Sequence, residues 1–173
     1  MLPEIEHYLL ALDKLRESTG SMLNEATLEG LNWRPSLAQG ADPTNSLAVL
    51  AVHVAGAEHG WIAESIGNFP HTRDRDSEFI FVAASAEEPL ARLAKVAEET
   101  RGVLSKLTPA DLDGSFMKDD HAVRVRWAIL HVIYHYSLHI GHMQLTYQLW
   151  NKGMASTSPR WFDRLPRAQP KSK

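Results

Sequence analysis

An all-α four-helix bundle is the fold this sequence predicts, on three observations. Four segments carry apolar residues at three-to-four spacing, the period of a helix with one buried face. Stretches rich in Gly, Pro, Asn and Asp separate them, as expected of connections. The chain has 173 residues, 44% of them hydrophobic, which suits one domain with a real core.

The first helix spans about residues 3–24. Ile5, Leu9, Leu12, Leu15 and Met22 or Leu23 form its stripe, with Glu6, Asp13, Lys14 and Glu17 between them. Residues 31–44 hold Asn32, Pro35, Gly40, Asp42 and Pro43 and read as a loop. Asn45 or Ser46 caps a second helix that continues to about residue 66, where Gly67-Asn68 and then Pro70 end it. The apolar run 79–83 is short and predicts an edge strand or an extended buried loop. Ser85 with Glu88 makes a capping box for a third helix, whose stripe runs from Leu90 through Leu93, Val96, Thr100 and Val103 to Leu107. Thr108 to Asp111 reads as a short capped turn, Asp113-Gly114 as another turn, and the residues up to His121 as polar. A fourth helix begins between residues 122 and 125 and runs to 151, closed by Lys152-Gly153. Residues 1–153 thus make the bundle. Residues 154–173 make an irregular basic tail with Pro159, Pro166 and Pro170, in which Trp161 and Phe162 are expected to dock.

Composition removes several functions. The absence of cysteine excludes disulfides, thiolate metal sites and a cysteine nucleophile. A net charge of −3 gives no general attraction to nucleic acid or anionic membrane, and the basic tail alone is weak support for either. No apolar run approaches a membrane span, and the acidic start is unlike a secretory signal, so a cytoplasmic location is expected.

Histidine is the unusual residue: there are nine. His131, His135, His139 and His142 point within about 80° of one another on the fourth helix, and neighbours at i, i+4 sit ~5–6 Å apart. Two imidazoles at that spacing can converge on one ion through bonds of ~2.0–2.1 Å. A third ligand should come from another helix, and His53 fits best, flanked by Leu50-Ala51-Val52 and Val54-Ala55-Gly56-Ala57. Gly56, Ala57 and Gly60 leave room beside it. His59 lies about 240° round the wheel from His53 and faces elsewhere, and His7, His71 and His121 sit in polar surroundings without an assigned role. The alternative is that the histidines only satisfy core contacts. Of the candidate bases, Glu58 faces away from His53, whereas Glu64 shares its face but lies roughly 16 Å along; Tyr136 and Gln144 fit a pocket or ordinary packing.

The stretch Leu31-Asn32-Trp33-Arg34-Pro35, then Asn45 to Leu50 leading to His53, and Trp61-Ile62 resembles the DinB-like family. So does Arg126 to His131, continuing through His135 and His139 to Gly141-His142. The lead-in and the His-Ile-Gly-His ending are most similar to its thiol-dependent transferase-like branch. The resemblance covers about residues 3–152. It implies an antiparallel-type bundle holding a divalent metal through His53, His135 and His139. From their place on the same helix face, His131 and His142 stand as alternative ligands or as partners that orient one. Characterised enzymes of the family use low-molecular-weight thiols such as mycothiol or bacillithiol in transfer or isomerisation.

The expectation is therefore a divalent-metal-dependent enzyme, a thiol-dependent transferase or isomerase or else a metal-dependent hydrolase, acting on a small molecule as a homodimer. A non-catalytic metal-binding stress protein and a dimeric interaction bundle are the alternatives. Three imidazoles leave an ion with an open position that can lower the pKa of water or of a substrate thiol. Lacking cysteine, the chain must receive any thiol from outside. Histidine ligation suits zinc or nickel first, then iron or copper.

Overall fold

The computed structural model describes residues 1–35 and 44–157. The expectations for residues 36–43 and for the tail beyond 157, including Trp161 and Phe162, lie outside the described residues. Within them the chain is an all-α four-helix bundle. Its long helices are α1 (Pro3–Glu25), α3 (Leu47–Glu58, continuing as a π-helix over His59–Ile66), α5 (Glu87–Leu104) and α7 (Val125–Trp150). Short helices α2 (Leu28–Asn32), α4 (Arg75–Phe79) and α6 (Pro109–Asp113) sit in the connections.

Contacts along the helices fix their directions. Glu4 meets Arg126 near the starts of α1 and α7, and Gly30 lies against Trp150 beyond their far ends, so these two run parallel. Leu50 lines one cavity with Thr146, and Trp61 stacks edge-on to Trp127, so α3 runs antiparallel to α7. Asp13 pairs with Arg101 and Gly20 touches Leu90, so α5 is antiparallel to α1. His59 bonds Glu99 and Gly67 meets Val103, which leaves α3 and α5 parallel. The order is up-down-down-up, and two of the four packed pairs are parallel. The connection from α3 to α5 joins parallel neighbours and must run back along the bundle, and the other two join helices that are not packed neighbours, so none of the three can be a tight turn.

The core joins Leu12, Met22, Leu47, Ile62, Leu104, Ile129 and Met143, all fully buried. Each such side chain contributes roughly 1.5–3 kcal/mol of burial. At its centre lies one polar group from each long helix. Glu58 of α3 accepts hydrogen bonds from Arg16 of α1, from Thr100 of α5 (2.6 Å) and from Tyr136 of α7 (2.9 Å). All four are buried, so only one register of the four helices satisfies them. Glu58 does turn away from His53, but into the core.

Several local expectations are corrected. Residues 28–32 form a turn of helix capped by Thr27. The run 79–83 is no strand: Phe79 ends α4, and Asn32 exchanges two hydrogen bonds with the backbone of Ala83, holding the rest as a loop with Ile80 and Val82 outward and Ala83 buried. Ser85 does not cap α5, which starts at Glu87 after Ala86 with no side-chain cap. The polar stretch before α7 is a β-hairpin, β1 (Ser115–Lys118) paired antiparallel with β2 (His121–Arg124). Asp119 and Asp120 turn it at φ 47° and 62°, the two positive values that a tight hairpin needs. Phe116 and Lys118 of β1 and Val123 of β2 are the half-buried positions, so the apolar signal was too thin to read. Ser46 caps α3 by accepting from Val49, and Gly153 at φ 88° follows the end of α7, both as the sequence indicates. No described helix is long and apolar enough to cross a membrane.

Candidate metal centre

His53 sits mid-way along α3, and His135 and His139 face it from the antiparallel α7. One nitrogen of each ring lies within 4.8 Å of the others, close enough to share one ion. Ring centroids are 5.0 Å apart from His53 to either partner and 4.5 Å between His135 and His139. The buried Glu58–Tyr136 bond, one residue from His135, fixes the register that aligns them.

Each ring is prepared differently. His53 is 6% exposed and its Nδ1 lies 2.8 Å from Glu78 Oε2. Burial would raise the Glu78 pKa, but hydrogen bonds from His53 and Arg73 hold it below the ordinary value. An ionised carboxylate only accepts, so His53 carries its proton on Nδ1 and presents the Nε2 lone pair. His139 Nδ1 shares a hydrogen bond of 3.3 Å with His142 Nδ1, which likewise leaves Nε2. Among the described residues, nothing hydrogen-bonds His135 Nδ1, which is buried. Such an orphan costs roughly 1–3 kcal/mol unless something satisfies it.

Burial, and then the neighbouring rings, push the pKa of His135 down to about 3 and that of His139 down to about 4. Both are neutral near pH 7, the state in which imidazole donates to a metal. Three convergent rings, two of them held neutral and one with an unpartnered buried nitrogen, fit a divalent cation by the chemistry of the donor set.

Glu78 was invisible in the sequence. It stands on the short helix α4, and Arg73 grips it through Nε (2.8 Å) and an Nη (3.0 Å). It reaches His53 only because residue 56 is glycine: a Cβ there would lie 2.0 Å from Glu78 Oε1 and 2.8 Å from its Cδ. The room noted beside His53 marked a close approach without revealing what approaches. Glu64, expected on His53's face but farther along it, serves the segment that carries Arg73 and not the rings themselves. It accepts from the backbone N–H of Thr72 (2.6 Å) and Arg73 (2.8 Å), which straps the 71–73 segment in place.

His59 turns outward to Glu99, and His71, left without a role, meets Glu64. His131 stays outside the three-ring group. It stacks on Trp127 and bonds Tyr134 through Nδ1 (3.1 Å). His142 is a partner to His139, and among the described residues neither belongs to the convergent set.

Comparison with known proteins now decides the lineage. The model of the DinB superfamily matches residues 11–143, most of the chain. The chain belongs to the DinB superfamily. A solved DinB-like protein from Bacillus cereus superposes with a TM-score of 0.68 at 23% identity, covering 90% of this chain and 95% of its own. A conserved protein from Enterococcus faecalis also gives 0.68, at 16% identity, covering 86% of this chain and 98% of its own. These likenesses establish the DinB-like fold. No curated protein matches the chain. Membership and the three-histidine group together fit a metal-binding DinB-like protein.

Proposed function

We propose that this protein is a divalent-metal-dependent enzyme in which His53, His135 and His139 hold the ion, acting on a small molecule with an external thiol as co-substrate. The observation that carries the reading is the convergence of three imidazoles, His135 with an orphaned Nδ1. When bound, the ion would supply a Lewis acid with an open position that favours the ionised form of a thiol or of water. Zinc or nickel suits the donors first. The chain does the positioning. Glu78 keeps the proton of His53 on Nδ1, Arg73 keeps Glu78 in place, and His142 orients His139. With no cysteine in the chain, any thiol must come from outside, and the resemblance to the thiol-dependent branch favours transfer or isomerisation over hydrolysis.

The test is turnover. Zinc- or nickel-loaded protein, given a low-molecular-weight thiol and a panel of electrophiles, should consume thiol, and the His135→Ala variant should not. Metal uptake with no thiol consumption and hydrolysis of ester or amide substrates would favour the hydrolase. Uptake with neither activity would leave a non-catalytic metal binder.

A further inference from the structure

Between Trp127 and Trp150 the longest helix contains no Asp, Glu, Lys or Arg. Its solvent side is nevertheless open: Trp127 is 47% exposed, Leu130 45%, Tyr134 50%, Leu138 57%, Leu145 58% and Leu149 55%. At ~100° per residue these six fall on one stripe along α7. Helices facing water in a soluble fold carry charge on that side, so an uncharged outer face this long is a surface meant to be covered.

We infer that this face is an isologous interface, on which a second copy of the chain packs its α7 antiparallel. Three features of the stripe select a second copy. First, it is symmetric about Leu138: Tyr134 and His142 lie four residues either side, Leu130 and Leu145 eight and seven, and Trp127 and Leu149 eleven. A two-fold axis at Leu138 therefore sets each exposed position of one copy against an exposed position of the other along the whole seam, Tyr134 against His142 and Trp127 against Leu149.

Second, the two ends are complementary. Trp127 projects at one end, held by stacking on its own His131 (4.9 Å between rings) and edge-on against Trp61. At the other end is an apolar cavity of about 380 Å³ that Leu50, His142, Leu145, Thr146 and Leu149 help to line. The antiparallel pairing carries the Trp127 of each copy to the cavity of the other, the pre-ordered aromatic anchor that dominates many interfaces. Third, six side chains keeping about half their surface offer roughly 100 Å² apiece, ~600 Å² per copy. With Ser137, Gly141 and His142 between them, that approaches the ~800 Å² per partner of a stable interface. The small Ser137 and Gly141 flank the axis and let the helices close, and a Cβ at Gly141 would meet nothing within 4 Å. This inference does not rest on the proposed chemistry.

The absence of native cysteine makes the geometry directly testable. The full chain should sediment at twice 19.4 kDa at micromolar concentration. Leu138→Glu, which sets two carboxylates on the axis, should sediment as a monomer with an unchanged helical spectrum, and Trp127→Ala should raise the dissociation constant at least tenfold. Leu138→Cys should cross-link to a disulfide dimer under mild oxidation, while Ile80→Cys, on a loop and 78% exposed, should not. A monomeric wild type overturns the inference, as does one that dimerises only when truncated after residue 157, because the tail would then be the cover. A Leu138→Cys that cross-links no better than Ile80→Cys overturns it too, even should Leu138→Glu fail to fold.

Discussion

Replacing Glu78 by Gln should weaken metal binding without removing a ligand. The carboxylate is buried, ionised and 2.8 Å from His53 Nδ1, with Arg73 bonded to both its oxygens. An amide of the same shape has one acceptor oxygen for two donors. If that oxygen stays with Arg73, the amide N–H₂ faces His53, and the ring must move its proton to Nε2, the atom it would offer the ion. A hydrogen bond to a charged group contributes ~1.5–3 kcal/mol. At ~1.4 kcal/mol per tenfold, that predicts a loss of roughly 10–100-fold in affinity.

Competition titration against a chromophoric zinc chelator measures it, with stoichiometry at saturation unchanged. Gly56→Ala should act in the same direction by another route. Its Cβ would lie 2.0 Å from Glu78 Oε1, and Glu78 is pinned by His53 and Arg73 and cannot swing aside cheaply. The ~1 kcal/mol of helix propensity that Ala gains is smaller than the ~1–3 kcal/mol of overpacking. A Glu78→Gln protein that binds zinc within twofold of wild type would refute the reasoning.

Glu58→Ala leaves the buried Arg16 with only the half-exposed Asp13 and leaves Thr100 and Tyr136 without their acceptor, and should cost ~3–5 kcal/mol in urea unfolding, whereas Tyr136→Phe should cost ~1–3 kcal/mol; a loss below ~1 kcal/mol for Glu58→Ala would show that the four-helix polar cluster is dispensable. In chelator, the protein should lose stability as the pH falls from ~6.5 towards 5. His135 and His139 hold folded pKa values of about 3 and about 4, below the unfolded ~6.5, so the unfolded chain takes up protons first. The melting temperature should track this slope, and a His135→Ala/His139→Ala protein should flatten it. Adding zinc at a hundredfold excess over Kd should stabilise by ~2.7 kcal/mol, or about 5–10 °C for a chain of this size. Its removal should leave the helical signal intact below the melting point.

The four long helices were legible because their stripes obey the helical period, and the ends at Gly67 and Gly153 because glycine marks them. Their directions were not. They rest on contacts between residues far apart in sequence, such as Glu4 with Arg126 and Glu58 with Tyr136. Of the site, the spacing of His135 and His139 and the apolar setting of His53 could be read directly, since a buried imidazole in such a run is unusual. Glu78 could not: its role depends on α4 folding back against Gly56, and a glutamate in a charged stretch looks like a solvated one. The hairpin at 115–124 escaped because it buries too little to show alternation.

The most direct test of the metal centre is the metal content of untagged protein purified without chelator, measured by mass spectrometry beside the His53→Ala/His135→Ala/His139→Ala variant. The account predicts close to one zinc or nickel ion per chain in the wild type and almost none in the triple variant, with both proteins folded by circular dichroism. Equal metal content in the two would contradict it and place the ion elsewhere.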